Sequence, residues 1–388
     1  MKKILFINPH FPVFSAPTCG GANRSQMFLK ALTQVGHVDV VSFWENEESN
    51  LPNCKVIHSG CPEIGLTDSF GRAEKFFRLL APWNANNIFP LNRSIETFCD
   101  KWVTKDDYDY IAVRYLFTAA EYGLLKYANR LIVDVDDNPK NTLLVRAQKI
   151  DRPLWKLYYQ IASVSASIMT RIVLKNVFRS FYSNPQQRPS HHSIFLHNVS
   201  VLDSPLPTIS ESTPKRAIVV GLWSYYPNKH GLTHFLTVVW PNIFSNVPNA
   251  ELIVVGRNMD QELLELCEAT SGVVVKGFVE NLVQEYKDSR CVVVPIYYGS
   301  GTCVKVMEAM SINRPIVSTP CGVRGLGIKS NREFLLASDD EEFSLHITTL
   351  LQNSSVGSSL AQNARIFMEK NYSVQRFNEI VKNSICEQ

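Results

Sequence analysis

Apolar runs and stretches of helical spacing alternate along both halves of this chain. In the first half the strand-like runs are KILFIN, VDVVSFW, KVIHSG, YDYIAVRY and RLIVDVDD; in the second they are RAIVVGL, AELIVVG, GVVVKG, CVVVPI and RPIVST. Continuous β-branched runs are those of parallel strands covered on both faces. Strands separated by helical patterns predict a doubly wound sheet. The cadence appears twice, so the chain predicts two Rossmann-like α/β domains. Between them VSVLDSPLPTISESTPK is rich in Pro, Ser and Thr and lacks periodicity, which marks a linker. The organisation expected is an N-terminal domain over 1–200, a linker over 201–215, a C-terminal domain over 216–371, and a helix over 372–388 that could cross back to the N-terminal half. Ligands of open α/β sheets bind beyond the carboxyl ends of the strands. Two such domains facing each other would share a cleft.

The stretch YYGSGTCVKVMEAM, Tyr297 to Met310, follows the CVVVPI strand directly. Thr302 is an N-cap candidate, and Val304, Met307 and Met310 recur at helical spacing on a packed face. Free N–H groups in the first turn, approached closely through glycines, suit an anion such as a phosphate. A Gly-rich βα loop that binds nothing is the plain alternative, because the pattern is less specific than a Walker sequence.

Composition narrows the class. With 388 residues, 45% hydrophobic and 19% charged, the chain can bury two full cores. A net charge of +3 is too mild to argue for a nucleic-acid partner. Nine cysteines without a CxxC pair read as reduced thiols in the cytoplasm, not as a disulfide framework or zinc site. MKKILFINPH starts like a signal peptide, but Asn8, Pro9 and His10 cut the apolar run short, so it is read as a first strand. No run reaches the roughly 20 apolar residues of a membrane-spanning helix.

The order of signals from about Arg216 to Tyr372 resembles the donor-binding domain of GT-B fold glycosyltransferases of family 4, the retaining group 1 transferases. The residues carrying it are GLWSYYPNKHG, ELIVVGRN, VKGFVENLVQEY and the Gly-Ser-Gly-Thr loop. More weakly, GGANRSQMFLKAL resembles the family's glycine loop and first helix, and SIFLHNVS the strand ahead of the linker. The resemblance implies a GT-B fold of two Rossmann-like domains across a cleft. It further implies a nucleotide-sugar donor, a glycan or lipid-linked acceptor, and neither cofactor nor metal.

Residue by residue, the resemblance implies that the N–H groups of Gly301, Thr302, Cys303 and Val304 meet the donor diphosphate and that Glu308 accepts from the ribose hydroxyls. A solvated helix carboxylate is the alternative for Glu308, and a surface lysine for Lys305. Where many members carry a first glutamate this chain has Ser300, and where many carry Arg after Thr it has Cys303. Asn228, Lys229 and His230, with Arg257, could add a cationic clamp in place of a metal. Phe278 and Val279 complete the donor side. In the N-terminal half the candidates are Gly20 and Gly21 of the first loop and, as catalytic residues, Arg24, Arg114 and Asp134. Arg114 could equally cap a carbonyl at the core edge. DVDD, Asp134 to Asp137, reads as a strand-end cluster or as helix caps, not as a metal-binding DxD.

Arg146 to Arg188 holds eight cations and the acid Asp151. Ile161, Val164, Ile168 and Ile172 predict an inward apolar face, with Arg171, Lys175 and Arg179 as a basic stripe for anionic lipid or a lipid-diphosphate acceptor. A structural helix with a solvated basic face is the alternative. The sequence thus points to a cytoplasmic, membrane-peripheral retaining hexosyltransferase of surface-polysaccharide assembly. Against it stand a non-catalytic GT-B subunit that partners another transferase and, fitting the loop poorly, a nucleotide-sugar epimerase.

Overall fold

A computed structural model describes residues 1–388 except 16–18, 64–71, 137, 149, 201, 203–204, 299–301 and 387–388. The chain divides into two units, Met1–Val199 with Val374–Gln388, and Ser200–Ser373.

Among the described residues the first unit holds seven strands: β1 (Lys2–Asn8), β2 (Gly36–Ser42), β3 (Cys54–Ser59), β4 (Tyr110–Arg114), β5 (Leu131–Asp136), β6 (Arg179–Tyr182) and β7 (Ile194–Phe195). They lie in the order β3-β2-β1-β4-β5-β6-β7, every pairing parallel. Ile4 to Ile7 and Ile111 to Val113 are fully buried, as a sheet covered on both faces requires. One covering layer is the helix Gly20–Thr33, whose Phe28 meets Phe6 and Phe181 edge to face. The C-terminal helix Val374–Cys386 joins the same core through Phe377, Val381 and Ile385.

The second unit repeats the plan with β8 (Arg216–Leu222), β9 (Glu251–Arg257), β10 (Val273–Gly277), β11 (Cys291–Val294), β12 (Ile316–Ser318) and β13 (Leu335–Leu336), in the parallel order β10-β9-β8-β11-β12-β13. Its core is built on Phe235, Trp240 and Phe343 around the buried faces of β8, β9 and β11. In each sheet the strand order reverses once, between β1 and β4 and between β8 and β11. Those two reversals are where an open α/β sheet leaves a crevice beyond its carboxyl edge.

The segment read as a linker is fastened to the second unit. Leu206 N–H donates to Ile312 O (3.1 Å), Arg314 Nη1 to Pro207 O (2.9 Å) and Arg290 Nε to Thr213 O (2.9 Å). Its aperiodic backbone finds partners in buried arginine side chains, a signal that composition does not carry.

The basic segment also departs from expectation. The helix Pro153–Asn176 buries Ala162, Ser165, Ala166, Met169 and Leu174. Val164, Ile168 and Ile172 face outward and Ile161 is half-buried. The small residues let the helix lie close against the helix Pro139–Gln148 and the turn at Leu79, so the small face was chosen over the larger apolar one. Arg179 stands in β6, not on this helix, and its guanidinium donates to the carbonyls of Phe178 and Ser384. Lys149 lies outside the described residues.

Candidate functional site

The carboxyl edge of the second sheet gathers the donor-side candidates of that half. The helix Tyr226–His234 follows β8, Arg257 ends β9, Phe278 and Val279 follow β10, and the helix Val304–Ser311 follows β11. Gly231 explains how the first of these helices comes so near the segment after β11. A Cβ there would fall 1.7 Å from the Pro295 carbonyl oxygen, a distance no side chain survives. The close approach sets Asn228 opposite Lys305. Lys305 Nζ donates to Asn228 Oδ1 at 2.9 Å, and Asn228 Nδ2 donates to Leu222 O at 3.0 Å. The amide thus ties the strand-β8 loop to the helix after β11 and aims one ammonium into the reversal.

Glu308 lies one turn on from Lys305, half-buried. Among the described residues its carboxylate has no hydrogen-bond partner, and burial raises its pKa to about 7, with Lys305 pulling the other way. Burial in turn lowers the pKa of Lys305, against the pull of Cys303 and Glu308. The fully buried Tyr286 hydroxyl, in the field of Glu308, also lacks a partner among the described residues. An acceptor-rich carboxylate kept short of partners, next to an ammonium with donors to spare, is an arrangement for a ligand carrying both hydroxyls and negative charge.

The helix cap differs from the sequence expectation. Cys303, not Thr302, is the N-cap, with no side-chain bond to the first turn, and the helix starts at Val304. Met307 and Met310 are buried as predicted, whereas Val304 is half-exposed. Ser300 and Gly301 lie outside the described residues.

The cationic clamp is thinner than the sequence implies. Lys229 Nζ is held by Asp260 Oδ2 and Glu262 Oε2, each at 2.7 Å, which raises its pKa and occupies its charge. His230 is packed between Tyr226, Tyr297 and Tyr298, and burial lowers its pKa, so its ring is neutral at pH 7. Arg257 is exposed, with its guanidinium 3.6 Å from the centroid of the Phe278 ring. Phe278 therefore anchors Arg257 at the sheet edge through a cation–π contact. Tyr226 and Tyr298, both partly exposed beside His230, are aromatic surfaces at this edge that no sequence period singled out.

In the first unit the three residues expected to be catalytic form a buried ion cluster. Arg24 clasps Asp134 with Nε–Oδ2 at 2.8 Å and Nη2–Oδ1 at 2.7 Å, and its Nη1 donates to Leu196 O and Asn198 Oδ1. Arg114 donates to Asp134 Oδ2 (3.0 Å), Asp136 Oδ2 (2.6 Å), Gly21 O (2.6 Å) and Ser25 Oγ (2.9 Å), with its guanidinium 4.6 Å from the Tyr115 ring centroid. Arg24 and Arg114 are each 2% exposed and Asp134 fully buried. Burial alone would raise the Asp134 pKa, but the two guanidinium groups hold it below the usual carboxylate range.

These groups are spent on each other and on the loop backbone. Arg24, Arg114 and Asp134, expected from the sequence to be catalytic, are paired with one another and with Asp136, so DVDD is a strand-end cluster engaged by arginines, Asp137 lying outside the described residues. Tyr115, just after β4, and Asp136, ending β5, adopt positive φ of 67° and 57°, a strain the cluster holds in place. Gly20 and Gly21 open the helix Gly20–Thr33, with Gly21 pinned by Arg114. His10, half-buried against Tyr115 and Phe117, has its pKa lowered to about 4 by burial and by Arg114; it is a neutral ring at this edge that the sequence reading passed over.

Residues 214–353 match the family model described as glycosyl transferases group 1. An uncharacterized 44.6 kDa protein in the cps region of Klebsiella pneumoniae is 28% identical over 410 residues, covering 98% of this chain and 100% of that protein. Among solved structures, sucrose-phosphate synthase from Thermosynechococcus elongatus superposes with a TM-score of 0.67 at 16% identity, covering 98% of this chain and 97% of that one. Anabaena HepE in complex with UDP and glucose does so with 0.62 at 14% identity, each chain covered in full at 100%. WaaG, a glycosyltransferase involved in lipopolysaccharide biosynthesis, gives 0.62 at 13% identity, covering 99% of this chain and 100% of that one. The fold is GT-B, two Rossmann-like domains, and the second unit carries the group 1 glycosyltransferase sequence pattern.

Proposed function

We propose that the protein is a retaining glycosyltransferase that moves a hexosyl group from a nucleotide-sugar donor to a glycan or lipid-linked glycan acceptor in cell-surface polysaccharide assembly, without a metal ion. The observation that carries this reading is the half-buried Glu308, without a partner among the described residues, beside Lys305 at the β8/β11 reversal and within the segment that matches the group 1 pattern. Support for the setting comes from the relative in a cps region and from the fold shared with a lipopolysaccharide glycosyltransferase and with a protein that binds UDP and glucose.

In this reading the ionised Glu308 accepts from both ribose hydroxyls, and the diphosphate meets the first-turn N–H groups around Thr302, Cys303 and Val304. Ser300 and Gly301 directly precede these residues in the sequence. As the glycosidic bond to the diphosphate breaks, negative charge grows on the departing phosphate, and Lys305 and Arg257 stabilise it as fixed cations. Asn228 holds Lys305 in place for this, while Lys229 serves the fold by bridging Asp260 and Glu262. Phe278 orients Arg257, and Val279 lines the same edge. In the N-terminal domain Arg24, Arg114 and Asp134 fix the strand ends and the Gly20–Gly21 turn on which the acceptor is received. Work on lipid-linked acceptors would bring the protein against the anionic inner face of a membrane.

The test is incubation of the purified protein with a panel of nucleotide sugars, scored by mass spectrometry for slow donor hydrolysis. One donor should be consumed well above the others. Tight nucleoside diphosphate binding with no turnover of any donor would instead establish the non-catalytic subunit.

A further inference from the structure

We propose that the outward face of the helix Pro153–Asn176 is a membrane-docking surface, which lies in the headgroup region of an anionic bilayer and inserts its aliphatic side chains there. The proposal deepens the membrane part of the function proposed above, and it stands on surface geometry that the donor site does not share.

Leu154, Leu157, Val164, Ile168 and Ile172 are all exposed, with Val164 at 58% and Ile168 at 45%. At 100° per residue they fall within about a quarter of the helix circumference, with the half-buried Ile161 among them. The opposite face is the one buried, through Ala162, Ala166 and Met169. A helix apolar on both faces, one of them turned to solvent, leaves a stripe without a partner among the described residues. A neighbouring turn widens it. Ser165 Oγ donates to Leu79 O at 2.7 Å, and beside Leu79 the chain exposes Phe77, Leu80 and Trp83, the last at 68%. Trp is a side chain suited to the interface, where its body sits among acyl chains and its N–H stays wet.

The charge around the stripe selects the occupant. Arg146, Arg152, Lys156, Arg171 and Lys175 are cations of this helix and the segment before it, and from 146 to 175 the acid in the sequence is Asp151. By angle, Lys175 stands within the stripe and Arg171 on its margin, where long side chains reach headgroup phosphates while their stems follow the apolar surface. A second copy seated face to face would set these cations against their equivalents. An anionic lipid surface supplies the opposite charge and an apolar layer together. Among the described residues no helix is long and apolar enough to cross a membrane, so the helix, about 36 Å long, would lie on the bilayer and not span it.

The experiment is co-sedimentation of the full chain with phosphatidylcholine vesicles, with and without phosphatidylglycerol, at low and high salt. Wild-type protein should bind the anionic vesicles, retain part of that binding at high salt, and bind neutral vesicles weakly. The triple substitution Val164→Ser, Ile168→Ser, Ile172→Ser should lower the partition coefficient about tenfold or more and remove the salt-resistant part. The pair Arg171→Gln, Lys175→Gln should lower binding by up to about 25-fold at physiological salt, at roughly fivefold per cation, and leave the salt-resistant part. A second measurement needs no variant to fold: lipids brominated along the acyl chain should quench tryptophan emission of the wild type, and Trp83→Phe should remove much of that quenching. Wild type remaining in the supernatant with anionic vesicles, a serine variant that binds like wild type, or absent quenching would each overturn the proposal. So would a wild-type dimer that the serine variant turns into a monomer. Failure of the transferase reading would show separately, as vesicle binding without donor turnover.

Discussion

Replacing Glu308 by Gln tests the site through two quantities that should move in opposite directions. The carboxyl ionises near pH 7 in the folded protein because burial disfavours its charge, against an ordinary value of 4.5. Below about pH 4.5 it is protonated in both folded and unfolded chains, so its burial then costs nothing electrostatic. As pH rises from there through 7 the unfolded chain ionises first and stability falls, by roughly 3 kcal/mol once both states are charged, at about 1.36 kcal/mol per unit. Glu308→Gln removes that cost, so the variant should melt higher than wild type at pH 8 and lose this advantage toward pH 4.5. Ligand affinity should respond the other way. A carboxylate accepting from two ribose hydroxyls contributes about 1.5 to 3 kcal/mol, or roughly ten- to a hundredfold in Kd. With a pKa near 7, about a tenth of the wild-type sites are ionised at pH 6 and about nine-tenths at pH 8. The ratio of wild-type to variant affinity for a nucleoside diphosphate should therefore climb about five- to ninefold across that interval, and taking the ratio cancels titration of the phosphate itself. Calorimetry in buffers of different ionisation enthalpy should show proton release on binding at pH 7. A ratio of one at pH 8, or one that does not change with pH, would refute the ribose assignment; equal melting of the two proteins at pH 8 would refute the buried-charge account.

Three further outcomes follow from the geometry. Lys305→Met should weaken diphosphate binding and move the pH midpoint of the Glu308-dependent affinity upward, because Lys305 is what holds the carboxyl down; titrating affinity against pH in this variant checks both. Lys229→Ala, whose charge is already taken by Asp260 and Glu262, should alter that affinity much less than Lys305→Met, and an equal loss in the two would return Lys229 to the clamp. Asp134→Asn leaves two buried guanidinium groups short of a counter-charge and should destabilise the first unit by about 3 to 5 kcal/mol, read by denaturant unfolding, while nucleoside diphosphate affinity in the second unit stays within about twofold.

Sequence carried the strands well and the side-chain commitments poorly, for reasons particular residues make plain. Long β-branched runs such as VVVP leave few alternatives to a buried parallel strand, whereas β6 and β13 were not singled out, since four and two residues give no period to read. The helix Pro153–Asn176 misled because helical spacing of large apolar residues says that they share a face, not which way the face points. Ala162, Ala166 and Ser165, weak as hydrophobic signals, took the inner side because they let backbones approach. The pairing of the charged candidates was hidden for a related reason. Arg24, Arg114, Asp134 and Lys229 are the residue types a phosphate or sugar site uses, but a cation's availability depends on its nearest carboxylate, and those partners stand between 20 and 110 positions away. Glu308 is the converse case. It sits in a helix with Lys305 three residues earlier, a spacing that usually yields a surface pair. Here Asn228, 77 positions away from Lys305 in the chain, accepts from the ammonium. That leaves the carboxylate without a partner among the described residues, and its raised pKa is the sign that the sequence could not show.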